Sequence, residues 1–160
     1  MRRIAALLIL LCLLLSSCGD RIKDPVTFYY IRDNYTEDMS AILGSEKREA
    51  SGHREDLSYL MALYFMGPAE EKLHSPIPRG TSLFRAAQEG NTIFLQLSDT
   101  SDSMTDAQFT LACSCLTLTC LEITDAEYVT INSGDRSVTM GKGTLLLKDQ
   151  ITAAETEDNQ

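Results

Sequence analysis

The sequence predicts an α+β domain of order β-α-β-β-α-β, with two helices on one face of a mostly antiparallel sheet. Two segments carry apolar residues at helical spacing, and several short segments are rich in β-branched residues or alternate between apolar and polar. Turn residues separate these segments. The chain has 160 residues, which suits one domain once an N-terminal leader is set aside.

The first predicted elements form a hairpin. Residues 26–31 are β-branched and aromatic, which predicts a strand. Residues 32–39 form a polar loop, and residues 41–50 return as a weaker second strand.

The first helix is predicted to open at Ser51-Gly52 and to stop at Gly67-Pro68. Its apolar residues follow the spacing of a single buried face. They are Leu57, Leu60, Met61, Tyr64 and Phe65. Residues 68–81 then form a loop restrained by two prolines.

A second hairpin follows this loop. Residues 83–88 and 92–98 are predicted strands that flank the turn Glu89-Gly90-Asn91. The apolar residues at 93, 95 and 97 alternate with their neighbours, which predicts a strand with one buried side.

The second helix has the clearest start. Thr105 and Gln108 have the spacing of a capping box, and Met104 and Phe109 have that of a hydrophobic staple. One face of the helix is predicted to pack on the sheet. That face consists of Phe109, Ala112, Cys113, Leu116 and Cys120.

The opposite side of this helix is a candidate interaction face made of Leu111, Cys115 and Leu118. A helix that lies on a sheet buries one side only, so the other side is free to bind a protein partner or a second copy. The alternative is that the apolar run at residues 144–147 folds back and covers it.

The last predicted strands are residues 127–132 and 136–140, joined by a turn at Ser133-Gly134-Asp135. The domain is therefore expected to span residues 26–140, with a C-terminal extension at 141–151. Residues 152–160 are acidic and lack an apolar face, which predicts a disordered tail.

The N-terminal leader is typical of a secretory signal peptide over residues 1–17. Arg2 and Arg3 precede an apolar run at residues 4–15. A bilayer-spanning helix needs about 20 apolar residues, so this run is short for a permanent anchor.

The end of the leader, Leu15-Ser16-Ser17-Cys18, resembles the lipobox of bacterial lipoproteins. The resemblance implies diacylglycerol transfer to the Cys18 thiol and cleavage after Ser17. Acyl chains such as palmitate would then hold the protein on the outer face of the cell membrane, with residues 18–25 as the tether. The alternative is an ordinary secreted protein with a chance cysteine at this position.

The charge excludes some partners. Without the leader the chain keeps 12 basic against 23 acidic residues, a net charge of −11. Such a chain repels nucleic acid and anionic lipid, so we expect no nucleic-acid partner, and membrane attachment through Cys18 alone.

Three cysteines remain after Cys12 and Cys18 are set aside, and all three lie in the second predicted helix. Cys113, Cys115 and Cys120 have neither disulfide geometry nor the spacing of a metal site. We expect them to be buried small apolar residues.

The sequence contains no recognisable catalytic motif. His53 and His74 are the two histidines, and neither has a metal-pairing neighbour at helical spacing. A nucleophile elbow, a phosphate-binding loop and an acidic calcium cluster are also missing. We therefore predict a protein that is not an enzyme and that holds no metal or cofactor.

Two segments resemble the GerMN (sporulation and spore germination) domain family. The first helix ends in Gly-Pro, and a Ser-x-Ile-Pro-x-Gly-Thr loop follows at residues 75–81. The hairpin turn at 89–91 and the Thr-Leu-Thr segment at 117–119 fit the same pattern, which covers about residues 26–135. The loop residues that carry the motif are Gly67, Pro68, Ile77, Pro78, Gly80 and Thr81.

The resemblance implies a fold similar to the ring-building motif of secretion-type assemblies. It implies a non-catalytic protein-interaction or scaffold role, in sporulation or spore germination, through a partner protein or self-association. The alternative is a lipoprotein that binds a small ligand or the cell wall, with a pocket lined by Tyr29, Tyr30 and Tyr59.

Overall fold

The strands of the computed structural model, which describes residues 22–33 and 42–144, form two sheets within those ranges. The smaller sheet has the order β2-β1-β3 and is antiparallel throughout. Its strands are β1 (Pro25–Arg32), β2 (Leu43–Glu49) and β3 (Leu73–His74).

The larger sheet has the order β4-β5-β6-β7. Its central strands β5 and β6 are parallel, and the two outer pairings are antiparallel. The strands are β4 (Leu83–Glu89), β5 (Thr92–Leu97), β6 (Tyr128–Ser133) and β7 (Arg136–Gly141). A single turn of 3₁₀ helix, Lys142–Thr144, follows β7.

Two α-helices complete the described fold: α1 (Leu57–Phe65) and α2 (Asp106–Ile123). The α+β class is confirmed. The prediction of one sheet is corrected, because the described strands form two separate sheets. Helix α2 contacts both of them, through β1 of the small sheet and through β6 and β7 of the large sheet.

Both predicted hairpins form. In the first, Pro25 to Ile31 of β1 pair with Glu49 to Leu43 of β2. In the second, β4 and β5 meet around Gly90, whose φ of 61° suits a glycine in a tight turn. The predicted loop at residues 32–39 lies for the most part outside the described residues.

Helix α1 begins later than predicted. Ser51 and Gly52 have φ angles of 50° and 80°, which no residue of a right-handed helix adopts. Asp56 is the N-cap instead, and its carboxylate accepts a hydrogen bond of 3.0 Å from the Tyr59 N–H. The helix ends as predicted, since Gly67 follows it with a φ of 87°.

Helix α2 begins at the predicted capping box. The Thr105 hydroxyl accepts from the Gln108 N–H at 3.3 Å, and the Thr105 N–H donates to the Gln108 side chain at 2.9 Å. Met104 and Phe109, the predicted staple pair, both belong to the buried core.

Side chains from the two helices complete the open edge of β1. Strand β3 pairs with only Ile31 and Arg32 on that edge. The Tyr29 N–H therefore donates to the Thr119 hydroxyl of α2 at 2.9 Å, and the Tyr29 carbonyl accepts from the Tyr64 hydroxyl of α1 at 2.9 Å. Buried backbone groups need such partners, so both helices are fixed against the small sheet.

A pair of tyrosine rings strengthens the contact between α1 and β1. Tyr30 and Tyr64 stack with ring centroids 4.8 Å apart, and the Tyr30 hydroxyl donates to the Tyr64 carbonyl at 3.1 Å. Burial raises the pKa of the Tyr30 and Tyr64 phenols above the ordinary value for tyrosine. The two rings thus stay neutral in the core.

The role of Thr119 can be tested against Thr117, which is equally buried on the same helix but whose hydroxyl has no hydrogen-bond partner among the described residues. We expect Thr119→Val to lower the free energy of unfolding by about 1–3 kcal/mol, because it leaves the Tyr29 N–H unpaired. Thr117→Val should be neutral or stabilising. Urea unfolding measures both, and equal losses would contradict the assignment.

Candidate interaction surface

The predicted motif residues converge on one cavity. The cavity has a volume of about 550 Å³ and lies between the end of α1 and the loop before β4. Its lining includes all six motif residues, Gly67, Pro68, Ile77, Pro78, Gly80 and Thr81. The six motif residues, which are separated in the sequence, therefore lie together around a single cavity.

A buried carboxylate holds the start of this loop. Glu46 on β2 is only 4% exposed, and one of its oxygens accepts from the Ala69 and Glu70 N–H groups at 2.9 and 3.0 Å. Its other oxygen accepts from Arg48 at 3.0 Å, and Arg48 also donates to the Gly67 carbonyl at 2.9 Å. Charge-assisted bonds from β2 thus fix the turn after α1.

Sequence reasoning missed Glu46 and Arg48. Glu46 lies opposite Phe28 in the hairpin, and Phe28 is fully buried. A charged residue opposite a core aromatic would have been the available signal, but it needs the strand register, which the sequence of β2 does not specify.

Short contacts hold the far side of the loop. Leu73 and Ile77 are buried, and the Ile77 N–H donates to the Ser75 hydroxyl at 3.2 Å. His74 lies beside Asp33, with Nδ1 2.7 Å from a carboxylate oxygen, and both side chains are about half exposed. This pair ties the loop to the end of β1.

An exposed apolar surface adjoins the motif cavity. Met66 is 79% exposed and Phe84 is 68% exposed, and together with Ala62 and Phe65 they line a neighbouring groove of about 620 Å³. We call these four residues the α1–β4 surface. Phe65 and Met66 line both cavities, so the two are neighbours on the surface.

The exposure of Phe84 has a local cause. Leu83 pairs with Leu97 and Arg85 with Gln96, so Phe84 is the extra residue of a β-bulge in the edge strand β4. Bulges redirect a side chain and interrupt regular pairing. The ring is thereby presented beside α1, a helix without charged residues.

The predicted interaction face on α2 needs correction. Cys115, at its centre, is fully buried, while Leu111 and Leu118 are partly buried. Thr119 lies one turn from Cys115 and bonds to β1, so β1 covers this side of the helix. The proposed cover, residues 144–147, lies outside the described residues except for Thr144.

The expectation of buried thiols is confirmed. Cys113, Cys115 and Cys120 are free and buried. Burial raises the pKa of each to about 12, so the thiols are protonated at neutral pH and are weak nucleophiles. The described residues contain no group of three side chains suited to hold a metal ion.

The predicted tyrosine pocket does not form as described, because Tyr30 is fully buried and its hydroxyl is bonded within the core. Tyr59 stacks on His53 at 4.2 Å, and Tyr29 is half-buried in β1.

The predicted lipidation site lies outside the described residues, as do the lipobox residues Leu15, Ser16 and Ser17. Within residues 22–33 and 42–144, the helices are too short or too polar to cross a membrane.

The fold is similar to two solved structures. A chain from Clostridium perfringens described as "Putative Lipoprotein" matches with a TM-score of 0.45 and 14% identity, over 79% of this chain and 94% of that one. Tandem GerMN domains of the sporulation protein GerM from Bacillus subtilis match with a TM-score of 0.48 and 15% identity, over 78% of this chain and 42% of theirs. No protein-family model and no curated protein matches the sequence.

The hydrogen bonds from the loop to Glu46 predict that two glutamates of β2 differ in their contribution to stability. Glu46→Gln should lower the free energy of unfolding by about 1–3 kcal/mol, because it weakens the bonds to Ala69 and Glu70. Glu49→Gln, at an exposed position of the same strand, should change it little. Urea unfolding and amide exchange at Ala69 and Glu70 measure the effect. Equal losses of stability in the two variants would refute the role of Glu46 in holding the loop.

Proposed function

We propose that this chain is a GerMN-type lipoprotein, anchored through Cys18 on the outer face of the cell membrane, whose domain binds a protein partner through the α1–β4 surface. The setting is sporulation or spore germination. The observation that carries the binding role is the exposure of Met66 and Phe84 beside the cavity formed by the motif loop.

The exposed apolar side chains of this surface favour binding of a partner. Burial of one large apolar side chain contributes roughly 1.5–3 kcal/mol, so Met66 and Phe84 together offer a substantial gain on binding. Soluble domains rarely leave adjacent large apolar side chains exposed without a use. Because hydrogen bonds to Glu46 hold the start of the motif loop in place, less conformational entropy is lost when a partner binds.

The anchor is supported by the lipobox at residues 15–18. Six residues separate Cys18 from Pro25, the first residue of β1, and this stretch of chain spans at most about 25 Å. The domain would therefore remain close to the membrane, within reach of a membrane-bound partner.

A binding role rather than catalysis fits the contacts of the two histidines. His53 stacks on Tyr59, and His74 pairs with Asp33 at a half-exposed position. Both contacts have a structural purpose, since one lies at the entry to α1 and the other joins the motif loop to β1.

One experiment in the native bacterium tests both parts of the proposal. Cells fed an alkyne-bearing palmitate should label the wild-type chain and Cys12→Ser but not Cys18→Ser. Chemical cross-linking in intact membranes should then give a defined adduct for the wild type, identified by mass spectrometry.

The adduct should be lost in Phe84→Glu, because a charge at this position opposes burial. It should persist in Ile22→Glu, the matched control, since Ile22 is also an exposed apolar residue but does not line the groove of the α1–β4 surface. Palmitate on Cys18→Ser would disprove the anchor. An adduct that survives Phe84→Glu would disprove the surface.

A further inference from the structure

The outer face of the large sheet carries a separate group of side chains. Strand alternation sends Ile93, Leu95 and Val129 into the core, where they are fully buried. The alternate residues face away from α2, and those that form the centre of this outer face are exposed or partly exposed. They are Arg85, Glu89, Phe94, Gln96, Thr130 and Asn132.

A shallow cavity of about 410 Å³ lies on this face. Phe94 lines it from the central strand β5, and the Arg85 and Glu89 side chains line it from β4. Gln96 and Asn132, which are paired in register across β5 and β6, complete it. An aromatic ring is thus surrounded by planar polar groups that both donate and accept hydrogen bonds.

The residues that line this cavity carry no net charge, whereas the chain as a whole is acidic. Arg85 and Glu89 form an ion pair at 2.7 Å, and the remaining groups of the cavity are neutral. The whole chain carries a net charge of −9. An anionic ligand would meet a single cation that is already paired. An apolar side chain would offer no hydrogen bond to the Asn132 amide or to the Gln96 amide, whose Nε2 donates only to the Leu97 carbonyl, at 3.3 Å, among the described residues.

A second aromatic ring extends the face. Tyr128 on β6 is 47% exposed and is two residues along from Thr130, the register partner of Phe94. Strand geometry puts the Cα atoms of Phe94 and Tyr128 about 8 Å apart. The Tyr128 ring lies against Gly141 of β7, where a Cβ would come within 2.9 Å of Cδ1. The glycine therefore allows the ring to lie close to the sheet.

We propose that this outer face binds a neutral glycan, with a sugar ring stacked on Phe94 and its hydroxyl and amide groups bonded to Gln96, Asn132 and the Arg85–Glu89 pair. Sugar rings present an apolar C–H face and a dense rim of neutral hydrogen-bonding groups, which matches this arrangement. The choice of an N-acetylhexosamine glycan of the cell wall rests on the extracytoplasmic location proposed above. The inference that this face binds a neutral glycan rests only on the described side chains of the large sheet.

The test is calorimetric titration of the full chain, purified in detergent, with tetra-N-acetylchitotetraose as the probe. We expect saturable binding that Phe94→Ala weakens tenfold or more. The matched control is Phe84→Ala, which removes an exposed ring of the same strand pair outside this face and should leave the affinity unchanged. The double variant Gln96→Ala/Asn132→Ala should weaken binding at least fivefold while Phe94 stays in place.

Absence of binding to the wild type would overturn the proposal, as would an affinity that Phe94→Ala leaves intact or that Phe84→Ala lowers equally. Circular dichroism of each variant identifies one that has failed to fold, and the double variant then decides the question. These results are independent of palmitate labelling and cross-linking, so failure of the glycan site is distinguishable from failure of the anchor or of the α1–β4 surface.

Discussion

Burial of α2 on two sides is the constraint on which the rest of the fold depends. The helix packs against β1 through the Thr119 side and against β6 and β7 through another. Its buried positions are therefore occupied mainly by small or apolar residues, including three cysteines and two threonines. Such side chains let two layers approach one helix closely, and a hydroxyl such as that of Thr119 can also pair a backbone group that a purely apolar residue would leave unsatisfied.

This constraint determines where binding can occur. Because strands of both sheets pack on α2, Cys115 is fully buried and cannot contact a partner. Two surfaces that this packing leaves available are the α1–β4 surface and the outer face of the large sheet. They differ in chemistry: the first is apolar and adjoins a loop fixed by Glu46, and the second combines aromatic rings with neutral polar groups.

Local signals predicted much of the fold, and non-local packing explains the rest. The capping box at Thr105, the stop at Gly67 and the β4–β5 turn each depend on a few adjacent residues, so the sequence alone located them. The split into two sheets and the burial of Cys115 depend on contacts across the chain. The motif residues were found as a pattern, but the carboxylate of Glu46 that holds them comes from a strand about twenty residues earlier.

Native-state amide hydrogen exchange tests the two-sided burial of α2 most directly. If the helix is held between the two sheets, the Tyr29 amide and the amides at the centre of α2 should exchange with one common free energy, equal to that of global unfolding. Exchange of the Tyr29 amide a hundredfold or more faster than the α2 amides would contradict the two-sided burial of α2, because it would mean that β1 leaves the helix while the large sheet remains folded.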